Sequence, residues 1–146
     1  MMRVTLLIVI PLFLLIACGE SSSEKLDDSL TLATQESIDQ ISAGADFAEV
    51  AHRLLESVTD DASAQAALDK INALSDRQVF RQLSASIGGP AMLAKDLASD
   101  HEAAEARFEQ AKERLGEQIN RIAFSGENGS AVEPGSIKHK LIMSVQ

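Results

Sequence analysis

Residues 61–124 read DASAQAALDKINALSDRQVFRQLSASIGGPAMLAKDLASDHEAAEARFEQAKERLGEQINRIAF, and their apolar spacing decides the fold. Ala64, Ala67, Leu68, Ile71, Leu74, Gln78, Val79, Leu83 and Ile87 recur at helical intervals and predict one helix from Asp61 to Ile87. Gly88-Gly89 ends it, because glycine takes positive φ without steric cost. Pro90 suits the first position of the next helix. From there Leu93, Leu97, Ala104, Phe108, Ala111, Leu115, Ile119 and Ile122 repeat at three, four or seven as far as Phe124. Two long amphipathic helices joined by a short turn predict an antiparallel helical hairpin.

Upstream, Phe47, Val50, Ala51, Leu54, Leu55 and Val58 mark a further helix starting at Asp46, with Glu49 at capping-box spacing. Residues 29–43 carry a weaker stripe of Leu30, Ala33, Ser37, Ile38 and Ile41, and Gly44 separates the two segments. Thr59, Asp60 and Asp61 are candidate caps for the helix that follows. No period-two alternation is sustained anywhere, so no strand is expected. The expected fold is all-α: the hairpin extended to a three-helix bundle, or four helices if residues 29–43 count separately, over residues 29–124. Glu117 and Arg121, and Glu109 and Lys112, are spaced to pair on the last helix. Residues 125–146 open with the loop-like SGENGSAVEPGS and read as loop and C-terminal tail.

The amino end is of another kind. MMRVTLLIVIPLFLLIAC, residues 1–18, places Arg3 before an apolar run that stops at the single cysteine of the chain. The run is too short for a spanning helix, which needs about 20 residues, and has the parts of a secretory signal. Leu15-Ile16-Ala17-Cys18 resembles the lipobox of bacterial lipoproteins. That resemblance implies removal of residues 1–17, diacylglycerol on the sulfur of Cys18, and an acyl chain such as palmitate on the new amino group. Two or three acyl chains hold firmly where one holds marginally. Gly19, in the place where enteric lipoproteins retained in the inner membrane carry Asp, points to the outer membrane, facing the periplasm. Residues 18–28, polar around Glu20-Ser21-Ser22-Ser23-Glu24-Lys25, read as a flexible tether. Residues 58–74, VTDDASAQAALDKINAL, with the long helix ending GEQINRI, resemble small secreted or lipid-anchored helical proteins of environmental bacteria; that resemblance implies a helical fold and supplies no activity to carry over.

Composition narrows the chemistry. A formal net charge of −9 argues against nucleic acid and anionic membrane surfaces, which attract Lys/Arg patches. Trp and Tyr are absent, which removes the usual sugar-stacking platforms. His101-Glu102-Ala103-Ala104-Glu105 begins like the zinc motif H-E-x-x-H, but Glu105 replaces the second imidazole. His101 and Glu105 share a face, and a metal would need His52 or Glu56 as well, so no metal site is assigned. No Glu has His three residues on, as di-iron bundles require. Asp27-Asp28 and Asp60-Asp61 are neighbours in sequence and read as helix caps, not as a convergent carboxylate pair. No G-x-S-x-G or phosphate-loop spacing occurs. The expectation is a lipid-anchored envelope protein, not an enzyme, without cofactor, acting through protein partners. The alternative is a periplasmic metal- or small-ligand-binding helical bundle.

Overall fold

A computed structural model describes residues 21–85 and 92–146. The signal-like segment, Cys18 and the Gly88-Gly89-Pro90 turn lie outside the described residues. The described chain is helical with no strand: α1 (Ser21–Glu56), α2 (Asp61–Asn72), α3 (Arg77–Ala85), α4 (Ala98–Ala123) and α5 (Ile137–Val145). The all-α class is the one the periodicity predicts.

Several boundaries differ from the sequence reading. Residues 21–56 form one helix, so Gly44 interrupts nothing and the tether residues 21–28 are helical. Once the packed second half of α1 has formed, each further turn costs little, because propagation is far cheaper than nucleation. Asp46 and Glu49 therefore lie mid-helix and cap nothing. The helix expected over 61–87 breaks at Ala73–Asp76. There Leu74 N–H turns back to the Ile71 carbonyl, and Asp76 supplies the carbonyl that receives Phe80 N–H. The break changes the buried face: Phe80 is buried in α3, whereas Gln78 is exposed. The last long helix begins at Ala98, after a 3-10 turn over Lys95–Leu97, instead of at Pro90. The expected loose tail contains α5, capped by the Ser136 hydroxyl on His139 N–H, with Leu141, Ile142 and Val145 buried. Its apolar residues find a face on α2 and α4, which outweighs the Gly/Pro-rich approach.

The largest interface joins α1 to α4. Contacts step along both chains in the same sense: Thr34 with Ala94, Ser37 with His101, Gly44 beside Phe108, and Val58 with Arg121. The two helices are therefore parallel neighbours, and the α2–α3 segment is the return between them. Buried positions 34, 41, 44, 48, 51 and 55 of α1, with Val58 just beyond its end, form one row, and 101, 104, 108, 111, 115 and 122 of α4 form the other. Both rows keep three–four spacing, the pattern of a knobs-into-holes seam. Gly44 is what allows the closest approach: a Cβ there would stand 2.6 Å from Leu83 Cδ1 and 3.0 Å from Phe108. α3 covers the seam through Phe80, whose ring centroid lies 5.0 Å from Phe47 and 5.8 Å from Phe108. α2 and α5 pack on each other near the carboxyl ends of α1 and α4, and Arg81 Nη2 donates to the Met143 carbonyl at 3.0 Å.

The first third of α1 stands apart. From Ser23 to Ala33 every residue is exposed except half-buried Leu30, and Leu26 and Leu32 each keep 72% of their surface. At 1.5 Å per residue this is a projecting rod of roughly 15–20 Å.

Candidate functional site

The polar chemistry of the molecule gathers along the α1–α4 seam. At its amino end, Thr34 Oγ1 donates to the Leu30 carbonyl at 2.8 Å and accepts from Ala94 N–H at 3.0 Å. This fixes the strand-like approach to α4. One turn further, Ser37 Oγ and His101 Nε2 share a hydrogen bond of 3.1 Å, and Glu105 Oε2 lies 3.8 Å from Nδ1 on the other side of the ring.

Serine, imidazole and carboxylate thus stand in the order of a hydrolytic relay. The geometry falls short of one. The Glu105 contact exceeds hydrogen-bond length, and Glu105 is mostly exposed while His101 is buried. Ser37 lies within a continuous helix, where neighbouring amides serve the helix ladder; acyl-transfer nucleophiles sit on turns that leave such amides free for an oxyanion. The group is a part-buried polar link between α1 and α4. Sequence reading placed Ser37 and His101 on helix faces but did not join them, because their meeting depends on the parallel register.

The other proposed ligands go elsewhere. His52 and Glu56 lie about 22–28 Å further along α1 than Ser37 by helical rise, so they do not approach His101. Among the described residues no group of three or more His, Cys, Asp or Glu is arranged to hold a metal ion. Asp60 caps α2: its carboxylate accepts from Ser63 N–H at 2.8 Å and from the Ser63 hydroxyl at 2.7 Å. These bonds from Ser63 hold its carboxyl below the usual Asp range. Asp27 and Asp28 are exposed on the projecting part of α1.

A row of arginines follows the seam at heptad spacing. Arg107 donates to Asp46 at 2.6 Å and to Glu49 at 2.9 Å. The hydrogen bond it donates to Asp46, supported by the one to Glu49, raises the guanidinium above its already high range. Arg121 bridges to the end of α1, donating to the Leu55 carbonyl at 2.6 Å and the Val58 carbonyl at 3.2 Å. It also reaches Gln118 at 2.8 Å instead of the expected Glu117. The expected Glu109–Lys112 pair forms, at 2.6 Å, with Lys112 Nζ 5.5 Å from the centre of the Phe108 ring. Between these two clamps, Glu49, His52, Arg53, Ala111 and Arg114 line an open groove of about 360 Å³. The spacing of Arg107, Arg114 and Arg121 was visible in the sequence; their partners were not.

No family model, no curated protein and no solved structure matches this chain. Among the described residues no helix is long and apolar enough to cross a membrane.

Proposed function

We propose that this chain is a lipid-anchored lipoprotein of the bacterial cell envelope that acts without catalysis, through protein contacts, in a structural, assembly or accessory role. The observation that carries the reading is Leu15-Ile16-Ala17-Cys18 closing an apolar run behind Arg3. Lipid on Cys18 is the membrane attachment, and Gly19 favours the outer membrane with the body facing the periplasm. Within that body we read α1, α3 and α4 as a three-helix core, with α3 and α4 antiparallel across the connection at 86–91.

Two measurements test this. Mass spectrometry of the mature amino terminus is expected to find a lipid-modified Cys18 as the first residue, and Cys18→Ser is expected to release the chain from the membrane fraction. An unmodified thiol, or unchanged fractionation of the variant, overturns the anchor. In-cell crosslinking is expected to capture a defined envelope protein, and a strictly monomeric, uncrosslinked chain would remove the role.

A further inference from the structure

The seam repeats with a period of seven on both helices, and one repeat has the wrong charge to close. Arg107 of α4 meets Asp46 of α1. One heptad on, the equivalent positions are Arg114 and Arg53. Two guanidinium groups therefore line the same groove where the preceding repeat has a guanidinium and a carboxylate. Among the described residues neither Arg53 nor Arg114 has an ion pair. Glu49 also lines the groove, but its carboxylate is held by Arg107. Ala111, whose side chain is a single methyl, and His52 line the same groove. Like charges brought to one site cost free energy unless an anion sits between them. The planar fork of arginine matches the paired oxygens of an oxyanion, and two forks around one concavity match phosphate geometry.

We propose that the groove lined by Glu49, His52, Arg53, Ala111 and Arg114 binds a phosphate group, with the two guanidinium groups as its clamps. This site is independent of the lipid anchor: it lies on the folded body and needs no membrane. A phosphate group reaches it either as free phosphate or a phosphomonoester, or as the phosphodiester of a lipid headgroup.

The test is a titration of the full chain at constant ionic strength, following the Arg Nε–H resonances by NMR. One arm adds inorganic phosphate, the other glycerophosphoglycerol, a headgroup without acyl chains. Saturable shifts at Arg53 and Arg114 are expected. Response to phosphate alone assigns the free or monoester form, and an equal or stronger response to the diester assigns the headgroup. Arg53→Asp recreates the Asp46–Arg107 arrangement one heptad on. It is expected to retain the helical circular dichroism and to weaken phosphate binding by about tenfold or more. Arg53→Gln removes the charge without adding one and serves if the first variant misfolds. No saturable shift in either arm, or the same shifts in both variants, overturns the proposal.

Discussion

The two parts of α1 are one helix in backbone and two different objects in energy. From Thr34 onward it is stitched into the seam, with Ala45, Ala48, Ala51 and Leu55 fully buried. From Ser23 to Ala33 it has almost no neighbour. Helix formers are present on both sides, since Leu, Ala and Glu occur in each part. The difference shows that packing, not local preference, supplies most of the stability of this helix. It also divides the molecule into a body that resists change and a rod that tolerates it.

The sharpest way to break this contrast is one substitution on each side. Leu55→Ala empties a fully enclosed position and is expected to cost about 2–5 kcal/mol in denaturant unfolding. Leu32→Ala, on the rod, is expected to stay within about 0.5 kcal/mol. Equal effects would mean that the rod is packed in solution. A second comparison uses two glycines. Gly44→Leu forces bulk against Phe108 and Leu83 and is expected to destabilise by about 1–3 kcal/mol or more. Gly116→Ala, in α4, meets nothing within 4 Å and is expected to stabilise by about 0.5–1 kcal/mol through helix propensity alone. Thermal unfolding of the two variants should move in opposite directions.

The smallest effect belongs to the α2 cap, outside the seam. The Asp60 carboxyl is lowered in the folded chain, so the carboxylate favours the fold. Its contribution is present above the unfolded Asp value near 3.9 and is lost as pH falls through the lower folded value. Asp60→Asn keeps an N-cap and removes that acid dependence, which a melting series between pH 2 and about 6 will register as a flatter low-pH slope.

The all-helical character was legible because apolar residues recur at three and four through residues 46–58, 61–74 and 93–122. The continuity of α1 was hidden by Gly44, whose reason is the ring of Phe108, 64 residues away. The break after Asn72 was hidden because it carries neither Gly nor Pro; only the Ser75-Asp76 pair hints at a new start. α5 was masked by the Gly/Pro-rich stretch before it, although Leu141, Ile142 and Val145 already had helical spacing. The Ser37–His101 link and the arginine row depend on which helix lies beside which, and in which direction. Periodicity within one segment carries no such information, so the parallel pairing of α1 with α4 had no local signature.

That shared direction has an electrostatic consequence. Helices running side by side in the same sense add their macrodipoles, so the carboxyl ends near Glu56 and Ala123 together present a partial negative charge on the order of one electron unit. In an up-and-down arrangement the neighbour's amino end would cancel much of it. Here a side-chain cation does so: the Arg121 guanidinium sits on the terminal carbonyls of α1 from within the last turn of α4. One residue thus neutralises two helix ends.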